Sequence, residues 1–150
     1  MRTVLQTILL IVLAMATASN ASARKQTEKK ANEKLATIFI FGVAQDLADT
    51  TVYISAITTV AGAKLNSGGD LENWTYYSEQ LKKYVETTFQ RPHQTVAVYY
   101  DKKLKNVEKR YQKTETQIRK KSPYPPTFKY IRPEDFHFKV PRIVFTDEEM

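Results

Sequence analysis

One stretch limits the possible folds of this chain more than any other. ATIFIFGV, from Ala36 to Val43, is β-branched and aromatic without polar alternation. Successive side chains of a strand point to opposite faces, so a half-wet strand alternates apolar with polar. An unbroken apolar run belongs instead to a strand covered on both faces. Such a strand needs two further apolar surfaces, one for each side, and the rest of the sequence must supply them.

The β pattern resumes after AQDLAD, in TTVYISAITTV from Thr50 to Val60, and the short gap predicts an antiparallel hairpin. GAKLNSGGD, with three of the four glycines, reads as a flexible loop. From Asp70 the period changes. Leu71, Trp74, Tyr77, Leu81, Tyr84 and Phe89 recur at helical spacing, with Glu79, Lys82, Lys83 and Glu86 elsewhere on the wheel. Trp74 is assigned to this inner face ahead of a ligand contact. Asp70 or Asn73 is placed to cap the helix, and the proline of RPH (91–93) stops it. TVAVYY, Thr95 to Tyr100, is a further strand, and strand–helix–strand predicts a right-handed crossover into a parallel pair.

A second helix follows in DKKLKNVEKRYQKTETQIRKK, with Asp101 suited to its positive end. At 100° per residue, Leu104, Val107, Tyr111, Thr114 and Ile118 fall within an arc of about 80°. Lys102, Lys105, Lys109, Lys113 and Lys120 gather opposite. Glu108 and Glu115 flank one edge of the apolar stripe, and Lys103, Arg110 and Lys121 flank the other. SPYPP ends the helix, and TFKYI and FHFKV each read as a short edge strand about the turn RPED. The expected fold is therefore a single compact α/β domain, with order β-β-α-β-α plus a short C-terminal strand or irregular segment. Its mixed sheet has three to five strands, packed with two main amphipathic helices.

Residues 1–23 read as a signal peptide: Arg2, an apolar run from Val4 to Ala14, then Ala21-Ser22-Ala23 as the cleavage site, with Ala16-Thr17-Ala18 a second option. The run is shorter than the roughly 18 apolar residues a membrane span needs. Export to the periplasm or beyond is expected, with no transmembrane helix after cleavage. A charged leader (24–35), the domain (36–140) and a C-terminal tail (141–150), frayed at its acidic DEEM end, complete the division. With no cysteine, stability must come without disulfides. Asp101 to Lys121 holds nine basic and three acidic residues, and losing Arg2 would leave the whole chain at +7 − 1 = +6, so this one helix holds the net basicity.

Sites for chemistry are few. His93 and His137 lie in separate segments without other ligands at metal spacing, so neither a metal nor another cofactor is expected. No G-x-S-x-G surrounds a serine, and GAKLNSGG lacks the Gly-Lys-Ser/Thr ending of a phosphate loop. Asp46 and Asp49 are the candidate acid/base pair of a hydrolase-like enzyme, though Asx residues also favour such turns for backbone bonding alone. Lys102, Lys105, Lys109 and Lys113 are candidates for gripping an anionic membrane or polysaccharide. The row lacks aromatic residues for base stacking, so nucleic acid is not an expected partner. Its simplest reading is a solvated helix face. Trp74, beside the glycine-rich loop, is the remaining candidate binding residue. Asn73-Trp74-Thr75 matches the glycosylation pattern, which matters only in a host that glycosylates such sites.

FIFGVAQDLADTTVYIS, YYSEQLKKYVE, TVAVYYDKKLKNVEKRYQK and EDFHF together span Phe39 to Phe138. In this order they resemble small exported proteins of unassigned function found in Bacteroidota. The resemblance implies a Gram-negative envelope or secreted location and brings no catalytic residues. The functional expectation is a non-enzymatic binding or accessory protein of the envelope, its partner an envelope protein or anionic polymer. The lysine row and the Asp46–Asp49 pair mark the two alternatives.

Overall fold

The computed structural model describes residues 34–142. The expected signal peptide and nearly all of the leader, to residue 33, and the acidic end from residue 143, lie outside the described residues. The elements are β1 (Lys34–Gln45), β2 (Thr51–Ser55), β3 (Thr58–Leu65), α1 (Trp74–Thr88), β4 (Thr95–Asp101), α2 (Leu104–Lys121) and β5 (Thr127–Ile131). They form a mixed five-stranded sheet with two helices, an α/β fold of the expected order.

β1 is the centre, and its alternation divides the core in two. Ile38, Ile40 and Ala44 join Tyr77, Leu81 and Val85 of α1 in one cluster. Phe41 and Val43 join Val52, Ile54 and Val107 of α2 in the other. The sheet is therefore sandwiched between helices, as an uninterrupted apolar strand requires. Gly42 marks the tightest approach: a Cβ there would lie 2.5 Å from Leu81 Cδ2 and 3.1 Å from Phe138 Cζ. Its N–H donates to the Ser55 hydroxyl at 2.8 Å, next to the last paired residues, Val43 and Ile54. That side chain satisfies a backbone donor where β2 leaves the ladder for β3.

The hairpin forms as expected, but the crossover does not. β4 pairs antiparallel with β1 over seven positions, from Phe39↔Asp101 to Gln45↔Thr95. β1 thus separates β2 from β4, and the parallel neighbour of β2 is β5, from Thr51↔Thr127 to Ser55↔Ile131. β4 is apolar and β-branched enough to take either partner, so spacing alone did not choose between them. β3 continues the pairing of β1.

FHFKV is not a strand. Phe136 and Phe138 are instead buried against α1 as a plug, with Phe136 edge-on to Phe138 at 5.0 Å. The Gln80 amide replaces a neighbouring strand: its Nε2 donates to the Lys139 carbonyl (2.8 Å) and its Oε1 accepts the Lys139 N–H (2.9 Å). The glycine-rich loop is closed rather than open. Asn66 Oδ1 accepts the N–H groups of Gly68 and Asp70, both at 2.9 Å, while Gly69 takes φ 87°, a value suited to glycine.

Candidate functional site

Among the described residues β3, β4 and β5 each pair with a single strand of the sheet. β4 is hydrogen-bonded to β1 on one side, and among the described residues its other side has no strand. Thr95 and Ala97 are exposed and the rest of the strand is half-buried. Edge strands are ordinarily blunted by lysine, proline or a bulge, because unpaired N–H and C=O groups template further pairing. TVAVYYD has no lysine or proline, and its pairing with β1 is regular throughout.

α2 crosses the face behind this edge obliquely. Near its start it covers β4, with the Arg110 guanidinium 4.9 Å from the centre of the Tyr99 ring. Further along it is tied to β5: Tyr130 Oη donates to Glu115 at 2.7 Å, and Arg119 lies 4.3 Å over Phe128. The C-terminal half therefore diverges from β4, and the opening is a groove of about 470 Å³. Val43, Ala97 and Ile118 contribute its apolar lining, with Leu47 at one end and Gln117 and Lys121 on the helix side. A second hollow of about 380 Å³ continues along β4 past Tyr99 to Asn106 and Arg110. Tyr99 borders both and is fixed by stacking on Phe41 at 5.1 Å.

The two flanks of α2 differ in charge. Glu115, on the β5 flank, is held below the usual glutamate range first by the Tyr130 hydroxyl and then by Arg119. Arg110 and Lys121 border the groove side, exposed, and neither joins an ion pair among the described residues. Tyr111, between the flanks, has its phenol pushed up to about 12, chiefly by burial.

The predicted site residues lie in separate places, with Asp46 and Asp49 sharing one turn in which the Asp49 N–H donates to the Asp46 carbonyl at 3.1 Å. Asp46 accepts the Ala48 N–H at 2.9 Å, closing an Asx turn. Asp49 accepts the Thr50 N–H at 2.7 Å and lies 3.4 Å from Arg91. Its carboxyl is lowered principally by the Thr51 N–H. Its neighbours thus favour the ionised form, which suits a turn anchor better than a group that must hold a proton. Lys105, Lys109 and Lys113 are exposed on α2 and Lys102 just before it, and none of the four lines the groove. Asp101 accepts the Lys103 N–H (2.8 Å) and Asn106 Nδ2 (3.1 Å) instead of capping from the N-cap position, which Lys103 occupies.

Two inward assignments are corrected. Trp74 is 55% exposed and Leu104 41% exposed. Each opens its helix, and at the α1 end the core is already filled by Leu71, 3% exposed and bridged to Leu65. His93 and His137 are exposed, and among the described residues no three potential metal ligands cluster. No helix among the described residues is long and apolar enough to cross a membrane. The groove residues Ala97, Tyr99 and Gln117 were missed by sequence reasoning; the signal was the basic flank of Arg110 and Lys121, seen but not connected to β4.

Compared with family models, curated proteins and solved structures, the chain matches none of them.

Proposed function

We propose that this is a non-enzymatic binding or accessory protein of the cell envelope, working through the groove between β4 and α2. The observation that carries the reading is an unblunted edge strand beside an apolar groove with a fixed aromatic wall. Ligand sites are concave, mostly apolar and edged by a few polar groups, and this groove has that composition. The envelope location rests on the pattern of residues 1–23 and on the resemblance to exported Bacteroidota proteins. N-terminal sequencing from the native host checks it: a start at Arg24, or at Ser19, is expected, and intact Met1 in a cytosolic fraction overturns it.

The binding reading is tested by placing a photoactivatable amino acid at Gln117, in the groove, or at Lys109, in the lysine row. After irradiation in intact envelopes, adducts are expected from position 117. Ala97→Phe, which fills the groove from an exposed strand position, should abolish them. Adducts confined to position 109 would transfer the function to the lysine row.

A further inference from the structure

Resting on that reading, we propose that the groove's occupant is an acidic extended peptide segment of a partner protein, which adds to β4 as a sixth strand. Two independent features lead there. The first is the edge itself. Seven residues of β4 keep regular pairing with β1, so the outward backbone groups repeat with strand geometry and can template another strand. A small molecule needs only the hollow; a strand uses the hollow and the edge together.

The second feature is charge. An added strand would direct alternate side chains toward α2, because the side-chain period is two. There they meet Arg110 and Lys121, with Gln117 between them in sequence and no acidic side chain from that flank of the helix. Asp101, at the Arg110 end, is occupied by the Lys103 N–H and Asn106. Asp49, beyond Leu47 at the other end, is occupied by the Thr50 N–H and Arg91. Arg110 rests on Tyr99, a contact that orients the guanidinium without neutralising it.

The spacing defines the motif. Arg110 and Lys121 are eleven residues apart, about 16 Å at 1.5 Å per residue of helix. Two side chains four apart on one face of a strand are about 13 Å apart, and the reach of arginine and lysine closes the difference. The recognised segment therefore carries acids at positions p and p+4, with an apolar residue at p+2 facing Ile118.

Fluorescent decapeptides test this against the purified protein by anisotropy. One has glutamates at p and p+4 and valine at p+2; the second has lysines at both positions; the third has glutamines. The glutamate peptide should bind best and weaken as salt rises. Arg110→Glu with Lys121→Glu, both at exposed sites, should cost it about tenfold or more in affinity and reverse the preference toward lysine. Two N-methylated versions examine the backbone. Methyls on one alternate set of amides should abolish binding and methyls on the other should spare it, since only one set faces β4. Equal binding of the glutamate, glutamine and lysine peptides, all lost in Ala97→Phe, would overturn the acidic chemistry and leave the groove reading intact. Indifference to both N-methyl sets would overturn strand addition. Binding of none of the peptides, while position 117 still forms adducts in envelopes, would overturn the acidic-segment proposal alone. Binding unchanged by Ala97→Phe would remove the groove from both proposals.

Discussion

Two of the outer strands of this sheet, β4 and β5, meet water in different ways. β5 is five residues long, follows Pro125-Pro126 and carries Lys129 at its middle. The Lys129 ammonium lies 5.9 Å from the centre of the Tyr53 ring and 5.8 Å from that of Phe89. The strand is also strapped to α2 through Tyr130–Glu115 and Arg119–Phe128. β4 is seven residues long and has no charge until Asp101, no proline and no interruption in its ladder. One edge therefore has the ordinary defences against intermolecular pairing, and the other has none of them. The contrast indicates that an edge's exposure is decided by chemistry and not by its position. It is also what supports the proposal of β4 as the binding edge.

The largest expected effect comes from removing what supports β4 from behind. Leu81 is fully buried against Gly42, in the cluster that Val96 and Val98 of β4 join. Leu81→Ala should cost about 2–5 kcal/mol in urea unfolding. Faster amide exchange should follow in both β1 and β4. If β4 kept its protection while stability fell, the edge would be held by something other than α1.

A smaller loss is expected at the guarded edge. Glu115→Gln weakens the strap between α2 and β5, at a cost of about 1 kcal/mol or less because the pair is partly exposed. The carboxyl of Glu115 is lowered from 4.5 when folded, so the unfolded chain binds the proton more readily. The contribution is present above the ordinary glutamate range and is lost as pH falls through the depressed folded value. The variant should therefore show a shallower acid loss of stability below about pH 4.5 than the parent. An unchanged acid slope would leave aromatic and cation–π packing as the strap.

Lys129→Val should leave stability within about half a kcal/mol, because the site is exposed. It should nonetheless produce concentration-dependent association in analytical ultracentrifugation. A persistent monomer would show that strapping, more than charge, guards β5.

The smallest effect is reserved for the outer face of α2. Reversing Lys105, Lys109 and Lys113 to glutamate should change melting and circular dichroism little, and leave groove binding essentially intact. Loss of binding with the fold retained would move the recognition surface from β4 to the lysine row.

How far the sequence alone reached follows from which interactions are local. The unbroken apolar run of β1 determined that both faces would be covered. Helical spacing determined the inward phase of Tyr77, Leu81, Val107 and Thr114, all of them buried. These are properties of a strand's period of two and a helix's period of 3.6, and they need no partner to be specified. Tertiary structure decided the rest. Trp74 and Leu104 have inward phase but open their helices, and phase does not say which turns lie over the sheet. β5 rather than β4 became the parallel neighbour of β2 because both strands satisfy the same backbone pairing, leaving side-chain packing to choose. Phe136 and Phe138 became a plug because Gln80 replaced the backbone partner that a strand would have needed. The groove was least legible of all. It exists because Tyr130 and Phe128 draw the far half of α2 toward β5, opening space beside β4, and that divergence depends on contacts between residues far apart in the chain.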